Sequence, residues 1–229
     1  MFFDEQTILL SAEESKHCIR VLRHQIGDEI NVIDGRGNFY KAEIVEANLQ
    51  KCLVKIIEKK EVSSQKKYRL HIAISPTKNV DRIEWLIEKG TEFGVDEFSF
   101  IICKRTEKPS IKIERLKKIA ESAVKQSIQS VIPVLNEAIS FKDFVVSQKN
   151  NSSKYIAHCL EKDKTELKDI LAKNKEALIL IGPEGDFTEE EILLATSTNF
   201  VPLSLGSTRL RTETAGLFAA AAFKAQYDS

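Results

Sequence analysis

The sequence predicts an α/β fold in which a largely parallel sheet follows a small, mostly β module. Apolar runs alternate with amphipathic helical patterns over residues 67–229, and this alternation is typical of parallel strands joined by helices. Residues 1–66 contain short strand patterns in succession instead. A polar stretch without periodicity, residues 59–67, separates the two regions, and we place the domain boundary there.

The amino-terminal module is predicted to contain one helix and three strands. Ser11 and Glu14 have the spacing of a capping box, which indicates a helix through about Arg23. Strands are predicted at residues 29–34, 38–46 and 51–58. A module of about 65 residues is marginally stable alone, so we expect it to depend on the rest of the chain.

The elements of the larger region follow from its apolar runs and helical periodicity. Strands are predicted at residues 68–74, 98–103, 132–135, 155–159, 177–181 and 200–205. Helices are predicted at residues 80–93, 113–128, 141–147, 188–195 and 212–226.

Composition excludes several classes of protein. The chain has 229 residues, with 34 basic and 34 acidic side chains, so a nucleic-acid partner would need local basic patches. No apolar stretch reaches the roughly 18 residues of a membrane span, and the first residues do not read as a signal peptide. The four cysteines lie far apart, which predicts no metal site and a reducing, cytoplasmic setting.

Two glycine-containing segments near the carboxyl terminus carry the strongest functional signal. Residues 181–187 and 205–216 each follow a predicted strand and lead into a predicted helix, which places free backbone N–H groups around one small ligand. Neither segment has the spacing of the common dinucleotide or triphosphate loops. The close approach of a ligand is expected at Gly182, Gly185 and Gly206, with Pro183 stiffening the first loop and Ile181, Leu205 and Leu210 as apolar walls.

Charged residues near these loops are candidate functional groups. Arg211 starts the last helix, where the helix dipole disfavours a cation, so we expect it to face a phosphate, a base oxygen or a carboxylate such as Glu213. Glu184 has two alternative interpretations: its carboxylate contacts the ligand, or it caps the turn in which it lies. Lys16, Arg20 and Arg23 have helical spacing, which suits either phosphate contact or a solvated helix face.

The chain resembles the RsmE family of ribosomal RNA methyltransferases, within the SPOUT superfamily. The residues that carry the resemblance span almost the whole chain: residues 17–23 (HCIRVLR), 34–35 (DG), Lys78, 82–85 (RIEW), 89–95 (KGTEFGV), 181–185 (IGPEG) and 205–215 (LGSTRLRTETA). The resemblance implies a PUA-like β-barrel at residues 1–66 and a SPOUT domain at residues 67–229. It also implies that the SPOUT domain ends in a trefoil knot.

The resemblance further implies a homodimer that binds S-adenosylmethionine in the knot and methylates N3 of one uridine in 16S ribosomal RNA. It assigns the cofactor site to His158, Cys159, Leu160, Ile181, Gly182, Pro183, Glu184, Gly185, Leu205, Gly206, Leu210, Arg211 and Thr214. It assigns catalysis to Arg211 and Glu213, and RNA contact to Lys16, Arg20, Arg23, Lys78, Arg82 and Lys89.

The sequence departs from the family pattern at two places. Asp186 stands where a second glycine is usual, and Gln129 stands where an Arg is usual, with Lys125 replacing an acid nearby. Three other functions remain open: a SPOUT enzyme that methylates a ribose hydroxyl of transfer RNA, an RNA-binding protein without catalysis, and a nucleotide-binding α/β enzyme without an RNA partner. The basic amino-terminal helix and the segment 205–215 favour the ribosomal RNA methyltransferase.

Overall fold

The computed structural model describes residues 6–61, 67–148, 153–160 and 163–227. The chain divides into two compact units, Met1–Gln65 and Lys66–Ser229, and most of the polar stretch predicted to separate them lies outside the described residues. In the part that the structure describes, no helix combines the length and apolar character that a membrane crossing requires. That part also holds no group of three or more His, Cys, Asp or Glu side chains placed to bind a metal ion.

The first unit is a four-stranded antiparallel sheet with one short helical segment. Its strands are β1 (Thr7–Leu9), β2 (Glu29–Ile33), β3 (Asn38–Glu46) and β4 (Leu53–Glu61), in the order β1-β4-β3-β2. The helical segment is α1 (Ala12–Lys16), capped by Ser11, followed by a π-helical turn at His17–Val21. The core of this first unit contains the buried side chains of Tyr40, Ile44 and Val54.

Asp34 organises the turn between β2 and β3. Its carboxylate accepts hydrogen bonds from the backbone N–H groups of Arg36 (2.8 Å) and Asn38 (3.1 Å) and from the side chains of Asn38 (2.6 Å) and Tyr40 (3.3 Å). Burial alone would raise the pKa of Asp34, but these hydrogen bonds to the charged form hold it below its ordinary value. The ionised carboxylate therefore stabilises this turn.

The second unit is a seven-stranded parallel sheet covered by helices. Its strands are β5 (Arg69–Ile74), β6 (Glu97–Ile102), β7 (Val134–Ser140), β8 (Lys154–Ala157), β9 (Thr165–Glu166), β10 (Glu176–Ile181) and β11 (Val201–Ser204), in the order β7-β6-β5-β10-β8-β11-β9. Its helices are α2 (Val80–Glu92), α3 (Ile113–Gln126), α4 (Phe141–Ser147), α5 (Leu167–Leu171), α6 (Glu189–Ser197) and α7 (Thr212–Tyr227). The predicted combination of a parallel α/β sheet and a small antiparallel β module is confirmed.

The strand order brings three loops to one edge of the sheet. β8 lies between β10 and β11, so the loops that follow these three parallel strands meet at their carboxyl ends. β11 in turn lies between β8 and β9, although the chain passes directly from β8 to β9.

Most predicted elements differ from the structure by no more than two residues at either end, and three differ in a way that has a physical cause. The helix expected through Arg23 becomes a π-helical turn ending at Val21, and Arg23 adopts a left-handed conformation (φ 61°). β4 continues to Glu61, into the stretch expected to be a linker. β7 runs from Val134 to Ser140 and not over residues 132–135, because its polar Asn136 side chain is satisfied by hydrogen bonds to Glu97 and Ser99 on the neighbouring strand.

Candidate functional site

A cavity of about 630 Å³ lies where the loops after β8, β10 and β11 meet. Three loop segments line it, residues 157–159, residues 181–184 with Asp186, and residues 203–212, together with Lys164 and Ala215. The cavity is within the size range of small-molecule sites, roughly 300–1,000 Å³. Both glycine segments identified in the sequence therefore border one cavity.

The loop after β10 is held tightly against the core. A Cβ atom on Gly182 would lie 3.1 Å from the ring of Phe187, which is buried and packs against Phe141 with 5.4 Å between ring centroids. Thr212 Oγ1 donates a hydrogen bond of 3.0 Å to the carbonyl oxygen of Gly182. This bond joins the loop after β10 to the start of α7.

The loop after β11 depends on backbone freedom at one glycine. Gly206 has φ +115°, and a Cβ atom built on it would have no heavy atom within 4 Å. Glycine is therefore required at this position by the backbone conformation and not by lack of space. The next residues, 207–211, continue along the cavity wall.

The third wall is the loop after β8. His158 is buried there, and the backbone N–H of Cys159 donates a hydrogen bond of 2.8 Å to Asp186 Oδ2 on the loop after β10. Lys164 Nζ donates to the carbonyl oxygen of His158 at 3.0 Å. The pKa of the Cys159 thiol is raised mainly by burial and to a lesser extent by the negative charge of Asp186.

Charged groups of both signs line the cavity. Glu184 and Asp186 supply carboxylates, whereas Lys164, Arg209 and Arg211 supply cations. Glu184 Oε1 accepts a hydrogen bond of 3.0 Å from the backbone N–H of Lys78, so this side chain also fixes the loop after β5. A ligand that carries both an ammonium and a carboxylate group would find a counter-charge for each.

A second cavity of about 440 Å³ lies beside the start of α7. It is lined by Asp81, Arg82, Trp85, Arg211, Glu213 and Thr214. Arg211 is exposed and borders both cavities. Glu213 is 7% exposed, its Oε1 lies 3.7 Å from Arg82 Nε, and its buried Oε2 accepts no hydrogen bond from the residues that the structure describes.

Ten of the thirteen residues assigned to the cofactor site line the first cavity. The other three are Leu160, which packs in the core, Gly185, whose carbonyl oxygen accepts from Arg105 at 2.6 Å, and Thr214, which borders the second cavity. Sequence reasoning did not select Lys164, Asp186 or Arg209 as lining residues. Arg209 is inside the recognised segment and could have been included, whereas no local pattern identifies Lys164.

The residues expected to contact RNA differ in their surroundings. Lys16, Arg20 and Arg23 of the first unit are exposed and form no ion pair with any residue that the structure describes. In the second unit, Lys78 Nζ lies 2.8 Å from Glu107. Arg82 faces Glu213, as described above.

Lys89 is the most completely paired of the expected RNA contacts. Its Nζ lies 2.8 Å from a carboxylate oxygen of Glu88 and 2.8 Å from one of Glu92. Hydrogen bonds to these two carboxylates raise the pKa of Lys89 to about 12. Its charge is therefore largely matched within the chain.

Gln129, where the family usually has an Arg, has a structural partner. Its Nε2 donates to the carbonyl oxygens of Thr91 (2.7 Å) and Glu92 (3.0 Å) at the end of α2. The side chain thus satisfies carbonyl groups that a helix end leaves without intrahelical partners. Gln129 therefore caps the carboxyl-terminal end of α2.

Two family models match the chain. An RNA methyltransferase domain matches residues 64–224, and an RNA methyltransferase PUA domain matches residues 10–57. The first match covers most of the second unit and both glycine loops.

Relatives and solved structures agree with these models. Ribosomal RNA small subunit methyltransferase E of Bacillus subtilis is 30% identical over 96% of this chain and 90% of its own length. A probable rRNA-methyltransferase from Porphyromonas gingivalis is 39% identical with a TM-score of 0.90, covering 98% of this chain and 95% of that one. A ribosomal RNA small subunit methyltransferase E from Neisseria gonorrhoeae, bound to S-adenosyl methionine, is 26% identical with a TM-score of 0.87, covering 97% and 92%.

Proposed function

The chain belongs to the ribosomal RNA small subunit methyltransferase E family, and we propose that it transfers a methyl group from S-adenosylmethionine to N3 of one uridine in 16S ribosomal RNA. The observation that carries the proposal is the cavity formed by the loops after β8, β10 and β11. Two of those loops are the glycine segments through which the sequence resembles the family.

The residues of this cavity fit S-adenosylmethionine. Ile181, Leu205 and Leu210 offer apolar surface to an adenine ring, and the backbone of the glycine loops can read its polar edge. The Glu184 carboxylate and the cations on the walls suit the ammonium, sulfonium and carboxylate groups of the same molecule. When bound, this cofactor supplies an activated methyl group on a sulfonium sulfur.

Arg211 and Glu213 are the residues that we propose act on the uridine. Methylation would form an N3–C bond while the bond between the methyl group and the sulfonium sulfur breaks, and the base would lose its N3 proton, so negative charge would develop on the uracil carbonyl oxygens O2 and O4 before the new bond is complete. The guanidinium of Arg211, between the two cavities, would stabilise that charge. The Glu213 carboxylate would accept the proton, directly or through a water molecule, because its Oε2 has no hydrogen-bond donor among the described residues.

The RNA would be held by basic residues outside the cavity. Lys16, Arg20 and Arg23 are the strongest candidates, since no acidic side chain of the described residues pairs with them. Lys78, Arg82 and Lys89 remain proposed contacts, but each would first have to exchange an intramolecular carboxylate partner for phosphate.

We also propose a cytoplasmic homodimer. The apolar side chains of Trp85 on α2 and Phe218 on α7 are exposed, at 41% and 45%. In the run of alanines at residues 219–222, Ala219 and Ala220 are buried inside the subunit and are not available to a partner. Light scattering on a size-exclusion column would measure the mass, and a value of one chain would refute the dimer.

Nucleoside mass spectrometry tests the function. A strain that lacks this gene should lose one 3-methyluridine from 16S ribosomal RNA, and the wild-type gene should restore it. The R211A variant should fail to restore it at equal protein level. Loss of a 2′-O-methylated nucleoside from transfer RNA, with 3-methyluridine unchanged, would refute the proposal and support the other SPOUT activity.

A further inference from the structure

We propose that Asp186 is a positioning residue that ties two walls of the cofactor cavity together before the cofactor binds. The proposal rests on the function proposed above for that cavity. It concerns a residue that the family motif does not explain, because a second glycine is usual at this position.

The backbone at Asp186 is one that glycine adopts at the least cost. Its φ angle is 63°, and its N–H donates to the carbonyl oxygen of Pro183 at 2.9 Å, which closes a tight turn. Left-handed geometry disfavours residues with a Cβ atom, although Asp and Asn tolerate it better than most. A carboxylate at such a position is therefore expected to make contacts that glycine cannot make.

The carboxylate makes one local and one long-range hydrogen bond. Its Oδ1 accepts from the backbone N–H of Phe187 at 2.8 Å, which is the next residue. Its Oδ2 accepts from the backbone N–H of Cys159 at 2.8 Å, on the loop after β8. Both Asp186 and Cys159 line the cavity, so this bond crosses from one wall to the next.

The loop that carries Asp186 is itself anchored. Arg105 Nη1 donates to the carbonyl oxygen of Gly185 at 2.6 Å, and Thr212 holds Gly182. The Asp186 carboxylate therefore extends from a fixed loop to a neighbouring one. Without it, the loop after β8 would lose its hydrogen bond to the loop after β10, and binding would have to order that wall.

A purely local role makes a different prediction from a bridging role. If Asp186 only forms the turn, then glycine would serve as well, because it adopts positive φ without strain. If the carboxylate bridges the walls, then Asp186→Gly should weaken cofactor binding although the turn is relieved. Asp186→Asn keeps one strong acceptor oxygen and should give an intermediate affinity.

The control is a matched replacement elsewhere. Asn199, between α6 and β11, also has a left-handed backbone (φ 69°) and is not among the residues that line the cavity. Asn199→Gly therefore places glycine at another left-handed position and leaves the hydrogen bond between Asp186 and Cys159 intact. Its cofactor affinity should equal that of the wild type.

Calorimetry with S-adenosylmethionine gives the first readout. Asp186→Gly should raise Kd about tenfold, as expected for a hydrogen bond to a charged group, while kcat at saturating cofactor stays within about twofold. Unchanged affinity in Asp186→Gly would overturn the inference, as would an equal loss in Asn199→Gly. Failure of the wild type to bind would refute the cofactor site itself, not the bridge.

The Cys159 thiol gives a second readout that needs neither cofactor nor activity. Cys159 is exposed, whereas Cys18, Cys52 and Cys103 are buried, so a disulfide reagent such as DTNB should label Cys159 selectively in the folded protein. Asp186 is one cause of the raised pKa of this thiol. Asp186→Gly and Asp186→Asn should both move the pH midpoint of labelling downward, and an unchanged midpoint would show that the carboxylate does not face this loop in solution.

Discussion

Replacement of Gly206 by alanine isolates the contribution of one backbone conformation to the cofactor cavity. Gly206 has φ +115°, a region that residues with a Cβ atom rarely adopt. The added methyl group would meet no heavy atom within 4 Å, so steric overlap with neighbours contributes nothing. The cost is then the backbone strain alone, about 1–3 kcal/mol.

The strain can be relieved only if residues near 206 leave their present path along the cavity wall. Binding must restore that path, so the strain appears as lost affinity for S-adenosylmethionine. With about 1.4 kcal/mol for each tenfold change, 1–3 kcal/mol corresponds to an increase in Kd of about 5- to 150-fold. Isothermal titration calorimetry on Gly206→Ala would measure this increase directly.

Gly27 provides the matched control. It has φ +92°, and a Cβ atom on it would also meet nothing within 4 Å, but it belongs to the first unit and does not line the cavity. Gly27→Ala should lower the melting temperature without changing cofactor affinity. Wild-type affinity in Gly206→Ala, or an equal loss of affinity in Gly27→Ala, would refute the reasoning.

Three further predictions concern charged residues. Arg211→Ala should lower kcat about a hundredfold and change the Kd of S-adenosylmethionine much less, since the guanidinium is proposed to stabilise charge on the uridine. If steady-state kinetics and binding measurements show equal losses of kcat and of cofactor affinity, Arg211 serves the cofactor instead. Replacing Arg20 and Arg23 by glutamine should reduce the slope of log K against log salt for RNA binding by about one per lost phosphate contact, and an unchanged slope would mean a solvated face. Because the pKa of Asp34 is lowered in the folded state, its contribution to the free energy of unfolding is complete above the unfolded-state pKa, about 4, and is lost as pH falls through the folded-state pKa. The free energy of unfolding, measured as a function of pH, should therefore fall less in Asp34→Asn than in the wild type over that range.

The glycine loops could be predicted from the sequence because their signal is local. An apolar run, a glycine and a helical pattern in succession indicate a strand, a turn and a helix, and both segments have that structure. Gly206 was expected to let a ligand approach the backbone closely, and its positive φ is a separate reason for glycine that no local pattern indicates. The cavity between these loops follows from the same pattern, because parallel strands present their following loops at one edge.

Only some of the ion pairs could be predicted from the sequence in this way. Lys89 was expected to contact RNA because it matches a family position, but it is paired with Glu88 and Glu92 of the same helix. The spacing of Glu92 from Lys89 is three residues and could have been read from the sequence. The pairing of Arg82 with Glu213 could not, since 131 residues separate them and only the packing of α2 against α7 brings them together.

The position of the loop after β8, which forms the third wall of the cavity, could not be predicted from local sequence patterns. Cys159 and Asp186 are 27 residues apart, and neither belongs to a pattern that requires the other. They meet because β8 and β10 are neighbours in the sheet, in a register that pairs Ala157 with Ile181 and so brings their following loops level. A one-residue shift of that register would move Cys159 by about 3.3 Å along the strand direction, beyond hydrogen-bond reach of the carboxylate. The hydrogen bond between Asp186 and Cys159 therefore depends on strand order and register, which are properties of the whole sheet and cannot be read from a local sequence pattern.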